Sequence, residues 1–143
     1  MKLLLRVLTA AALVVDAYVH LRLASAYDPV RAAISQGTLF RLESAAALLA
    51  ALIVLATGAR LAYLFAFLVA VSALGAVLLY RYVDIGQLGP LPNMYEPAWY
   101  GQKVLTTIAE AAGTLTAAVG ALLPRRNRVS AATAPVRAGV PHA

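Results

Sequence analysis

No cysteine occurs among the 143 residues, which excludes disulfides, thiolate metal sites, iron–sulfur clusters and cysteine nucleophiles. Charge is scarce as well. Charged residues make up 13% of the chain, and Asp and Glu together number 6, where an average soluble domain is about 25% charged. Recognisable catalytic signatures are missing too. The sequence holds no nucleotide-binding Gly-rich loop, no pair of span histidines for haem and no Ser–His–Asp arrangement. What fills the chain instead is hydrocarbon: 62% of residues are hydrophobic, and the mean hydropathy is +0.80. A soluble globule of this size has too little interior to hide so much apolar side chain behind so few charges. Disorder is excluded by the same numbers, because it needs low hydrophobicity and high charge. The composition reads as an integral membrane protein.

Four apolar stretches approach the roughly 20 residues needed to cross a hydrocarbon core of about 30 Å. They cover about residues 3–23, 39–57, 61–82 and 100–123. Each is expected to be helical, because an open strand in lipid leaves backbone groups unpaired. The expected fold is therefore an all-α bundle of four transmembrane helices occupying residues 1–124. Residues 125–143 read as a disordered basic tail. Lys2, Arg6, Arg60, Arg125, Arg126 and Arg128 fall on one side with no acidic companion. By the positive-inside rule that side is cytoplasmic, so both termini are expected in the cytoplasm of a multi-pass plasma-membrane protein. The net charge of +6 is then topological, and no nucleic-acid partner is inferred from it. A rival for the first span is a secretory signal ending at Ala24-Ser25-Ala26. Arg6 and the polar stretch from Asp16 argue against it.

All six acidic residues fall in the outer half of this layout or beyond it. Asp16 and His20 are one helical turn apart and share a face. Glu43 follows Arg41 near the start of the second span. Tyr80, Arg81 and Asp84 close the third, and Lys103 and Glu110 share a face of the fourth. Facing lipid costs several kcal/mol for each ionisable group, so these faces are expected to turn inward. Several readings stay open. Asp16, His20, Arg41, Glu43, Tyr80, Arg81, Asp84, Lys103 and Glu110 form either an ion-pair network that fixes helix register or an outward-opening ligand pocket. Asp16, His20, Glu43 and Glu110 also compose a candidate site for a hard or borderline divalent ion. Proton relay is a further reading. If chemistry occurs, His20, Asp16 and Glu110 are the catalytic candidates, because His20 titrates near neutrality and a carboxylate one turn away orients its ring.

The connection from residue 83 to 99 contains Gly86, Gly89, Pro90, Pro92 and Pro97, which forbid a continuous helix. Its apolar and aromatic members disfavour a free solvent loop. An ordered cap built on Asn93, Met94, Tyr95, Glu96, Trp99 and Tyr100 is expected on the outer face. In the first connection, Pro29 and Gly37 bracket a candidate short interfacial helix, and Thr38 is the expected N-cap of the second span. On the fourth span Ala109, Gly113, Ala117 and Ala121 recur every four residues, a seam that suits close packing either within the bundle or in a homodimer.

The stretch Asp16-Ala17-Tyr18-Val19-His20-Leu21, together with the hydropathy of the whole chain, resembles the DoxX-like family of small bacterial four-helix membrane proteins. Those begin with an apolar helix carrying a polar residue, often His or Lys, near its outer end, the place His20 takes here. The Pro-rich segment 80–100 does not map onto the family pattern. The resemblance implies a membrane partner subunit for redox enzymes, some of them quinone-linked. From the residues, the leading expectation is an accessory subunit docking a protein or an amphipathic small molecule on its outer face. The alternative is a membrane-embedded enzyme or redox protein acting on a lipid-soluble substrate such as a quinone. No cofactor is specified by the sequence.

Overall fold

The computed structural model describes residues 2–123. Four helices follow one another: α1 Lys2–Ala24, α2 Gln36–Thr57, α3 Arg60–Tyr82 and α4 Gly101–Leu122. At 1.5 Å per residue each is about 33–35 Å long, enough to cross a hydrocarbon core, and all four are apolar enough to do so. Among the described residues there is no strand, only two isolated antiparallel bridges, Arg31 with Ser35 and Leu88 with Leu91. The tail expected at residues 125–143 lies outside the described residues.

Each helix packs on the next and α4 closes onto α1, while α1 and α3 barely meet across the diagonal. The side chains sort by size. Ala10, Ala17, Ala47, Ala50, Ala66 and Ala117 form most of the interior with Leu13 and Val54, whereas Leu3, Leu52, Leu61, Ile108, Leu115 and Leu122 point outward. Small residues inside let backbones approach, which is how helices associate when the surroundings are as apolar as the core. The α4 seam of Ala109, Gly113, Ala117 and Ala121 is buried inside the chain's own bundle, and a Cβ at Gly113 would touch the methyls of Ala70 on α3 and Ala12 on α1.

The two ends of the bundle are connected differently. At one end α2 passes into α3 through Gly58 and Ala59 alone. Gly58 adopts the left-handed conformation (φ 54°) and its N–H closes the helix on the Val54 carbonyl. Arg6 donates to the Thr57 carbonyl at 3.0 Å, placing a cation at the negative end of the α2 dipole. Any side chain at Gly58 would collide with that guanidinium. Nearby the Tyr63 ring lies against Gly120, with no room for a Cβ between them. This tight-turn end is closed.

The other end carries the two long connections. In the first, no separate interfacial helix forms after Pro29: residues 25–35 run through turns held by Gln36 N–H to the Val30 carbonyl (2.8 Å) and Gly37 N–H to the Tyr27 carbonyl (3.3 Å). The N-cap of α2 is Ser35, not Thr38. The Ser35 hydroxyl accepts from the Thr38 N–H at 3.0 Å, so α2 begins three residues earlier than the apolar stretch, with Gln36 and Gly37 in its first turn. Gly37 is needed there because a Cβ would strike the Ala24 carbonyl and the Asp28 carboxylate.

Candidate functional site

At the long-loop end the helices do not close. No α3 residue after Ala73 is buried, and between α3 and the other helices lies a cavity of about 490 Å³. All four helices contribute to its wall: Val19, His20 and Leu23 from α1, Phe40 and Glu43 from α2, Ala76 and Tyr80 from α3, Lys103, Thr106 and Glu110 from α4. Leu42 on α2 and Ser72 and Ala76 on α3 line it too and are themselves exposed. The mouth is therefore on the flank, between α2 and α3.

The polar floor is built from helical spacing. Asp16 and His20 stack one turn apart on α1, and the His20 Nδ1 sits 2.8 Å from the Asp16 carboxylate and 3.1 Å from the Asp16 backbone carbonyl. From α4 the Thr106 hydroxyl donates to Asp16 Oδ1 at 2.8 Å, and Glu110, one turn further, places Oε1 3.3 Å from the same hydroxyl. Asp16 and Glu110 are each 1% exposed. The second oxygens of both, Asp16 Oδ2 and Glu110 Oε2, are buried without a hydrogen-bond partner, as is Glu43 Oε1. Phe40 sets its ring edge-on to His20 at 4.9 Å, and Ser44 ties α2 to α1 through the Ala17 carbonyl at 3.0 Å.

Glu96 holds the roof together. Its backbone N–H donates to the Tyr80 carbonyl at 3.0 Å, its carbonyl accepts from Lys103 Nζ, and its carboxylate accepts from the Tyr27 hydroxyl. Tyr27 is also 2.8 Å from the Tyr100 hydroxyl. Burial and the hydrogen bond to Glu96 push the Tyr27 phenol well above its ordinary pKa, so it stays a donor. Ile34 N–H to the Pro90 carbonyl (3.0 Å) joins the two connections directly. Asp84 Oδ1 organises the segment beyond α3, accepting from Gly86 N–H at 3.1 Å and Asn93 Nδ2 at 3.0 Å.

The residues singled out in the sequence thus separate into two groups. His20, Glu43, Tyr80, Lys103 and Glu110 line the cavity with Met94, Glu96 and Tyr100, and Asp16 supports them from behind. Arg41, Arg81 and Asp84 are not in the lining, and neither are Asn93, Tyr95 and Trp99. The ion-pair network is not what forms. Arg41 makes a two-pronged contact with Asp28 (2.8 and 2.7 Å) instead of Glu43. That guanidinium holds the Asp28 carboxyl below its usual pKa. Arg81 lies over the Tyr82 and Trp99 rings at 5.0 and 5.5 Å. Among the described residues, no Lys or Arg bridges Asp16, Glu43, Asp84 or Glu110. Long cationic side chains at helix ends snorkel toward the polar boundary, and aromatic faces there receive them.

The candidate metal set changes as well. Asp16, His20 and Glu110 each offer a ligand atom within 4.8 Å of the others, and Glu43 is outside this group. Thr106, Phe40 and Tyr27 were not legible as site residues from composition. Thr106 had one available signal, since it falls between Lys103 and Glu110 on the same face of α4. Compared with known families, curated proteins and solved structures, the chain matches no family model, no curated protein and no solved structure.

Proposed function

We propose that this protein is a small multi-pass plasma-membrane protein that binds an amphipathic, lipid-soluble small molecule, acting as an accessory subunit that holds the molecule for a membrane partner. One observation carries the proposal: a cavity of about 490 Å³ with apolar and aromatic walls, a few polar groups at its floor and a mouth on the flank of the bundle. Ligand sites have this character. Lys2, Arg6 and Arg60 at the tight-turn end support cytoplasmic termini by the positive-inside rule, with the cavity in the outer half and residues 83–100 as its cap. The DoxX-like resemblance agrees with a partner-subunit role.

Native mass spectrometry of the protein extracted in its own lipid tests this. Wild type is expected to carry one amphiphile per chain, and Ala46→Phe, which fills the wall beside Glu43, is expected to lose it while staying folded. Identical, ligand-free spectra for both would overturn the proposal. A second reading, a membrane-embedded enzyme or redox protein, draws on the convergence of Asp16, His20 and Glu110. It requires that His20→Ala and Glu110→Gln abolish turnover of the bound molecule without releasing it.

A further inference from the structure

Glu43 on α2 and Glu110 on α4 line the cavity, and Asp16 on α1 stands behind Glu110, sharing the Thr106 hydroxyl with it. Asp16 and Glu110 are almost wholly buried, and one carboxylate oxygen of each of the three has no partner. Lys103 shares the cavity wall but makes its contacts at the roof, and Arg81 lies outside the lining. Lys103 donates to the Glu96 carbonyl and faces Trp99 at 5.7 Å, and Arg81 is spread over two rings. Among the described residues, the His20 imidazole is the one basic group in contact with the acidic floor. A carboxyl oxygen left unpartnered inside a bilayer is costly, and a bound cation supplies the counter-charge that an ionised carboxylate there needs. The walls add to this. Tyr27, Phe40, Tyr80 and Tyr100 all line the cavity, and aromatic faces attract organic cations.

We infer that the cavity's ligand is a lipophilic organic cation, an amine or onium group on an apolar body, seated with its charge between Glu43 and Glu110 and entering from the lipid between α2 and α3. This rests on the binding function proposed above and names the ligand class for it. A bare metal ion would use only the Asp16, His20 and Glu110 corner. It would leave Glu43, the aromatic walls and most of the volume without a role.

The test is equilibrium dialysis of the full chain in lipid nanodiscs, with empty nanodiscs as baseline. Two probes are compared: tetraphenylphosphonium, and triphenylphosphine oxide as an uncharged aromatic analogue. The cation is expected to saturate at one site per chain and to bind roughly tenfold or more tighter than the oxide. Glu110→Gln and Glu43→Gln are each expected to remove that preference, bringing phosphonium binding down to the level of the oxide. Glu43 is less buried than Glu110, so Glu43→Gln keeps the test decisive should Glu110→Gln fail to fold. Equal binding of both probes, unaffected by either variant, overturns the cation inference and leaves the pocket intact. Binding of neither probe overturns the inference together with the pocket it rests on. Stoichiometric Mn²⁺ or Zn²⁺ binding that is lost in Glu110→Gln and His20→Ala, with no phosphonium bound, replaces the organic cation by a metal.

Discussion

At the tight-turn end the Tyr63 ring rests on Gly120 and Arg6 fills the space beside Gly58, leaving a crevice of about 50 Å³. At the long-loop end the same four helices surround about 490 Å³. The difference follows from what each half places inside. Alanine and glycine from four helices meet in the closed half, and two residues connect α2 to α3. In the open half, charged and aromatic side chains stand between the helices, and connections 25–35 and 83–100 let α3 lie away from its neighbours. A bundle held together by small residues at one end can carry a polar cavity at the other, because the packing that stabilises it is somewhere else.

Breaking the closed half has the largest expected effect. Gly120→Val forces the Tyr63 ring aside and is expected to destabilise the fold by about 2–3 kcal/mol, read from unfolding in mixed detergent micelles. Gly75→Ala, where a Cβ meets nothing within 4 Å, is its control and is expected to be neutral or stabilising by up to about 1 kcal/mol. A comparable loss in both would mean the two positions are not packed differently. In the open half, Thr106→Val removes the hydroxyl shared by Asp16 and Glu110. It is expected to cost about 1–2 kcal/mol and to lower ligand occupancy with it. A variant that lost stability yet bound normally would separate the floor from the site.

Tyr27→Phe frees the Glu96 carboxylate and is expected to cost about 1 kcal/mol, with faster amide exchange over 90–100 and none of that change near Gly58. The smallest effect belongs to Asp28. Arg41 holds its carboxyl below the usual range, so the pair favours the folded loop above the unfolded-state pKa. The contribution is lost as pH falls through the lowered folded-state value. Amide exchange over 28–38 is expected to quicken on that acid limb, and Asp28→Asn to remove the pH dependence. An unchanged acid limb in the variant would assign it to another group.

Much of this is legible in the sequence alone. Hydropathy alone located four helix-length stretches, because a bilayer-scale apolar run admits few other structures. The i, i+4 spacing of Asp16 and His20, and the position of Glu110 below Lys103, put polar groups on shared faces at similar depth. The ion-pair reading, one of those left open, paired the cations with those carboxylates. Charge sign and depth matched, but Arg41 found Asp28 in the loop and Arg81 found Tyr82 and Trp99. Those choices depend on loop positions that no periodicity reports. Ser35 was missed as the α2 cap because Gln36 and Gly37 carry no apolar signal, though they are helical.

Composition and spacing by themselves determined the four apolar helices and the polar faces on α1, α2 and α4, since both are local consequences of side-chain chemistry and a fixed helical period. Only the tertiary structure decided that the α4 seam packs inward and that Glu96 joins both connections to α3 and α4. It alone decided that Asp16 and Glu110 meet, with Glu43 on the same cavity, and that no Lys or Arg among the described residues bridges them. Each of these depends on which helices are neighbours and how closely they approach, and that is set by contacts between residues far apart in the chain.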